Sequence, residues 1–118
     1  MGKENIILDK SFVFALSIIR YTELLESERK FVIANQILKS GTSIGANIRE
    51  AQSSESKNDF IHKLKIADKE AFETEYWLQL CKHSKNYPNP ENLINELTEI
   101  KKLLSSIIST SKKSINKK

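Results

Sequence analysis

Ser40-Gly41-Thr42-Ser43-Ile44-Gly45-Ala46-Asn47 is the stretch on which the fold of this chain turns. Each of its two glycines is roughly 1 kcal/mol less favourable in a helix interior than alanine, so propensity alone would end a helix here. The surrounding pattern argues the other way. Ile37, Ile44 and Ala51 keep a seven-residue register straight through the run, as do Leu38 and Gly45. Residues four apart share one helix face, so the two glycines would together let another backbone approach closely. The spacing therefore predicts a continuous, bent helix over about 28–53, with Ser27 as its N-cap; a loop at residues 40–46 is the alternative. Gly41, Ile44, Gly45, Asn47, Ile48 and Glu50 make up the candidate helix-packing motif.

Three further helices follow from the same kind of spacing. Phe14, Ile18, Tyr21 and Leu25 mark a helix over about 11–25, and Phe12, Leu16 and Ile19 add an adjoining stripe. An apolar face that wide implies more than one neighbour. Ser56-Lys57-Asn58-Asp59 has the form of a capping box and opens a helix over about 57–84. Phe60, Leu64, Ala67, Ala71, Thr74, Leu78 and Cys81 then alternate steps of four and three, a coiled-coil-like seam. Ile66, Phe72, Tyr76, Trp77 and Leu80 lie outside that seam and need other contacts. Asn86-Tyr87-Pro88-Asn89-Pro90 is a turn in which Asn89 can cap and Pro90 can take the first helical position. The fourth helix, over about 90–111, carries Leu93, Leu97, Ile100, Leu104 and Ile107, flanked by Leu103 and Ile108, and a basic tail occupies 112–118. Four such helices with short connections predict an all-α, antiparallel up-down four-helix bundle, one domain over residues 1–118.

The 118 residues suit a single domain, and 3 Gly with 2 Pro are too few for the turns of an all-β fold. No uncharged run reaches the roughly 20 apolar residues a membrane span requires. Residues 101–118 hold six lysines and no acid, so most of the formal +4 charge belongs to the C-terminal end and the rest of the chain is slightly acidic. Such an end can attract phosphate, or it can be a solvated terminus. Met1 to Asp9 offers only a short apolar stretch, and Ile6 stands where a myristoylation signal has Ser or Thr, so a cytoplasmic protein is expected.

The chemistry-bearing residues are sparse. Cys81 has no second cysteine to pair with, and His62 and His83 supply too few ligands for a zinc site, so no metal or cofactor is expected. A di-iron bundle needs two Glu-x-x-His pairs. The nearest match is Asp59-Phe60-Ile61-His62, better read as a helix cap beside a solvated histidine. Cys81 continues the apolar seam and reads as core. No phosphate loop, dinucleotide turn or nucleophile elbow is present, so no enzymatic activity and no catalytic residue is expected. Among the cationic positions, His62, Lys65 and Lys69 share one face of the third helix, while Arg20, Arg29, Lys30 and Arg49 sit on the first two.

Gly41 to Ala51, then Ser56 to Ala67, then Glu70 to Leu78 together resemble the small four-helix-bundle proteins named after the intervening sequences of 23S ribosomal RNA genes. The resemblance covers about residues 10–111 and holds in order and spacing. Many members have Ala-Glu-Gly after the Asn-Ile step, where this chain has Arg49-Glu50-Ala51. The resemblance implies a homopentameric, ring-like assembly shared with the accessory variability protein of diversity-generating retroelements, and it implies no enzyme. It also suggests binding of structured RNA or other nucleic acid. His62, Lys65, Lys69, Lys112, Lys113, Lys117 and Lys118 are the candidate contacts. The alternative is a protein-interaction scaffold of the reverse-transcriptase accessory type, without direct nucleic-acid binding.

Overall fold

The computed structural model describes residues 3–116 as four α-helices: α1 (Lys3–Ser27), α2 (Phe31–Ala51), α3 (Lys57–His83) and α4 (Glu91–Asn116). No strand occurs among the described residues. The helices pack in a closed cycle, α1 on α2, α2 on α3, α3 on α4 and α4 on α1, leaving α1 and α3 on one diagonal and α2 and α4 on the other. The result is a rod 54 × 22 × 22 Å.

The glycine run is helical throughout, inside α2. Ile37, Ile44, Ile48 and Ala51 are buried, so the seven-residue register does face the core and the loop alternative falls away. The glycines meet α1 in two ways. A β-carbon on Gly41 would sit 2.9 Å from the Ile18 side chain, and one on Gly45 would sit 3.3 Å from the Ser11 carbonyl oxygen. Only at Gly45 is the close neighbour another backbone. The small polar residues of the run are absorbed locally: the Thr42 hydroxyl donates to the Leu38 carbonyl at 2.6 Å and the Ser43 hydroxyl to the Lys39 carbonyl at 2.7 Å.

Helix boundaries differ from the expected ones in three places. α1 begins at Lys3, well before residue 11, because Asp9 is exposed on the outer face while Ile7 extends the buried line of Phe14 and Tyr21. α2 begins at Phe31 and Ser27 does not cap it. The Ser27 hydroxyl donates back to the Leu24 carbonyl at 2.6 Å, Arg29 takes a left-handed φ of 64°, and Lys30 occupies the cap position without capping the helix through its side chain. α4 runs through Asn116, so residues 112–116 of the expected tail are helical, held by buried Ser111 and half-buried Ile115 continuing the line of Leu104 and Ile108.

The two other caps form as the sequence predicts. Ser56 accepts the Asp59 amide at 3.0 Å, and Asn89 accepts the Glu91 amide at 3.0 Å. In α3 the seam residues Leu64, Ala67, Ala71, Thr74, Leu78 and Cys81 are buried, but Ile61 opens the seam and Phe60 is only half-buried beside it. Thr74 Oγ1 lies 2.9 Å from Ser40 Oγ and 2.7 Å from the Glu70 carbonyl, so the buried hydroxyls between α2 and α3 satisfy one another. Tyr21 donates its hydroxyl to the Pro88 carbonyl at 2.7 Å, tying α1 to the loop before α4.

What lies outside this core is unusual for a single bundle. Phe12, Val13, Leu16 and Ile19 project from α1 on the side away from its buried line, and Phe72, Tyr76 and Leu80 do the same on α3. Phe12 is 61% and Tyr76 59% exposed. Contiguous exposed apolar surface of this kind marks an interaction face.

Candidate nucleic-acid interface

The Ser56 cap fixes where α3 starts, and that sets Asn58, His62 and Lys65 at helical steps along one exposed side of its first turns. On α4, Ile108, Ser111 and Ile115 keep the last turns against the bundle, which carries Lys112 and Asn116 toward α3. The two helix ends meet in a shallow cleft lined by Asn58, Ile61, His62, Lys65, Lys112, Ile115 and Asn116, with a volume of about 310 Å³. Its floor is apolar, from Ile61 and Ile115, and its rim carries two lysines, a histidine and two amides.

The lysines are the distinctive element. Lys65 lies close enough to Lys112 that this contact, and the repulsion between the two ammonium groups, hold Lys112 below its ordinary lysine value. Like charges brought together this way favour an anion between or beside them. Some other lysines of the bundle have carboxylate partners, among them Lys10 with Glu99 at 2.9 Å, Lys63 with Glu50 at 3.0 Å and Lys101 with Glu75 at 2.6 Å. Neither Lys65 nor Lys112 has an ion-pair partner among the described residues. The cleft can therefore hold a phosphate group by two ammonium contacts, with amide donors from Asn58 and Asn116 on either side.

Of the candidate contacts, His62, Lys65 and Lys112 come together here. Lys69 is exposed a turn further along α3 and does not line the cleft, and Lys113 is exposed in the last turn of α4, also outside it. Lys117 and Lys118 lie outside the described residues. Asn58 and Asn116 went unnoticed in the sequence as contacts. Asn58 is hidden inside a capping motif, and Asn116 becomes visible only when Ser111 and Ile115 are read as extending α4.

The packing motif has a structural role. Ile44 and Ile48 are core, Asn47 donates its amide to the Ser43 carbonyl at 2.9 Å within its own helix, and Glu50 pairs with Lys63. Cys81 is buried, and burial pushes its thiol above the ordinary range, while burial and the Cys81 sulfur beside it raise the Tyr21 phenol. His62 and His83 are both exposed. Among the described residues, no three His, Cys, Asp or Glu side chains are placed to hold a metal ion, and no helix is long and apolar enough to cross a membrane.

A four-helix bundle with a cationic cleft at one end and uncovered apolar faces on two helices defines a class of small helical proteins. The chain belongs to the 23S rRNA-intervening sequence protein family, whose model matches residues 3–106. It is similar to a crystal structure of a protein of unknown function from the S23 ribosomal protein family of Bacteroides thetaiotaomicron VPI-5482. The two are 51% identical, with a TM-score of 0.87 over 92% of this chain and 99% of that one. No curated protein matches the chain.

Proposed function

We propose that this chain is a non-catalytic, cytoplasmic, homo-oligomeric bundle that binds nucleic acid, structured RNA foremost, through its phosphate backbone. The observation that carries the reading is the placement of Lys65 beside Lys112, without carboxylate partners, in a cleft with His62, Asn58 and Asn116. Contacts of this kind position a backbone without reading its bases, so the reading concerns affinity and not sequence preference. Family membership and the name of that family support an RNA context.

The antiparallel up-down arrangement is supported by contacts whose numbers run in opposite directions. Ile18 meets Gly41 while Ser11 meets Gly45, Ser40 meets Thr74 while Glu50 meets Lys63, and Lys82 meets Glu91 while Glu75 meets Lys101. Self-association, as a pentameric ring by resemblance, is supported by the exposed stripes of α1 and α3. Several copies of one modest cationic site would add avidity without any new contact.

A second reading, a scaffold for another protein, is favoured by Phe31 and Val32. They stand 55% and 79% exposed at the start of α2, apart from both stripes. Light scattering after size exclusion, at low and high salt with absorbance at 260 and 280 nm, tests the first reading against the second. It predicts an oligomer that carries nucleic acid at low salt and loses it at high salt. An oligomer that never carries nucleic acid and takes up no added RNA would contradict it in favour of the scaffold.

A further inference from the structure

We infer that the cleft between α3 and α4 takes one unpaired nucleotide, so that the chain binds RNA at a loop, a bulge or a single-stranded end and not along a duplex. The inference rests on the phosphate reading of the same cleft and names the form of RNA that fills the rest of it. Across this contact residue numbers fall on α3 as they rise on α4: Glu75 bonds Lys101, and Lys65 lies beside Lys112. The same order carried one turn further sets Ile61 and His62 toward Ile115 and Asn116, with Asn58 beyond them, all lining one cleft. The cleft is therefore graded along its length. Two ammonium groups stand at one end, two isoleucines and an imidazole follow, and two side-chain amides lie toward the other end. Lys65 and Asn58 are separated by about 10 Å of helix, the span of a nucleotide from its phosphate to the far edge of its base.

Each zone has a part of the nucleotide to meet. Lys65 and Lys112 are close enough to address one phosphate, and a phosphate by itself fills only their end. Ile61 is almost wholly buried and Ile115 half-buried, so the floor they leave suits a sugar or the face of a base and offers nothing to an ion. His62 is exposed on the rim and presents a flat ring on which a base can stack. With the phosphate drawn to the lysines, Asn58 and Asn116 are left beside the base. Each amide carries both donors and an acceptor, so the pair can meet the edge of any base, and the site stays indifferent to sequence. In a duplex each base is stacked and paired with its own partners, and its face cannot reach the isoleucines or His62. The lysines would still hold a duplex phosphate, but the rest of the cleft would stay uncovered. A volume of about 310 Å³ agrees with this, being the size of a site for one small unit of a ligand.

The test compares two labelled RNAs with the same number of phosphates, a hairpin with an unpaired loop and a blunt duplex, by fluorescence anisotropy on the full chain. Titrations at several salt concentrations are run at about pH 8, which keeps histidine charge out of the comparison. The wild type should bind the hairpin about tenfold or more tighter than the duplex. His62→Ala combined with Ile115→Ala should remove most of that ratio while leaving duplex affinity and salt slope unchanged. His62 is exposed, so His62→Ala alone keeps the fold and should remove part of the ratio even if Ile115→Ala loosens the end of α4. Equal affinity of the wild type for the two RNAs, with a salt slope still reduced by Lys65→Ala/Lys112→Ala, would overturn the unpaired nucleotide and leave the phosphate reading standing. A hairpin preference that His62→Ala and the combined variant both retain in full would overturn this cleft as its source. A salt slope that Lys65→Ala/Lys112→Ala does not change would overturn the phosphate reading beneath the inference.

Discussion

Gly45 faces the backbone of Ser11 so closely that a β-carbon at this position would lie 3.3 Å from the Ser11 carbonyl oxygen. Here the glycine run meets the backbone of α1 directly, which accounts for a glycine in a helix interior that propensity would have broken. The helix keeps its glycines because α1 occupies the space a side chain would take.

The first expectation follows directly. Gly45→Leu has no room and should cost about 1–3 kcal/mol or more by overpacking. Gly45→Ala should be nearly neutral, its helix gain of roughly 1 kcal/mol offset by the tight contact. Urea denaturation of the two variants measures both. A Gly45→Leu variant with wild-type midpoint and slope would mean that α1 does not lie where it is placed.

Tyr21 supplies a second. Its hydroxyl donates to the Pro88 carbonyl and so links α1 to the loop before α4, and Tyr21→Phe removes it while keeping the ring. The loss should be about 1 kcal/mol, typical of one hydrogen bond with a part-buried acceptor left behind. It should appear as a lower denaturation midpoint at unchanged slope.

Asp68 offers a pH-dependent outcome. Partial burial raises its carboxyl above the ordinary aspartate range, and nearby Lys101 opposes this more weakly. A carboxyl raised in the folded state costs stability once pH exceeds its folded value, and costs nothing below its unfolded value. Asp68→Asn should therefore melt at a slightly higher temperature than wild type at neutral pH. The difference should shrink as pH falls through the carboxylate range and vanish below about pH 3.5. A gain that persists there would point to packing instead of charge.

The core of the fold was legible in the sequence because it depends on spacing along one helix at a time. The lines through Ile37 and Ile44, Leu64 and Leu78, and Leu97 and Leu104 are readable without knowing any neighbour, and so are the Ser56 and Asn89 caps. The ends were harder. Asp9 looked like an interruption and proved to be an exposed residue on the outer face of a longer α1, and the serine- and lysine-rich end of α4 concealed Ser111 and Ile115 as its buried line. The cleft was the least legible part. Lys65 and Lys112 were both named as candidate contacts, but they are far apart in sequence, and only the packing of α4 on α3 brings them together in one cleft.

The most direct test of the central claim is the salt dependence of RNA affinity. A synthetic RNA stem-loop would be titrated with wild-type protein and with the Lys65→Ala/Lys112→Ala double variant at several salt concentrations. The cationic cleft predicts a linear fall of log affinity with log salt for the wild type, and a slope reduced by about 1 for each lysine removed. Weaker binding across unrelated RNA sequences should accompany it. A double variant that folds normally and binds RNA with the wild-type affinity and slope would contradict the assignment of this cleft.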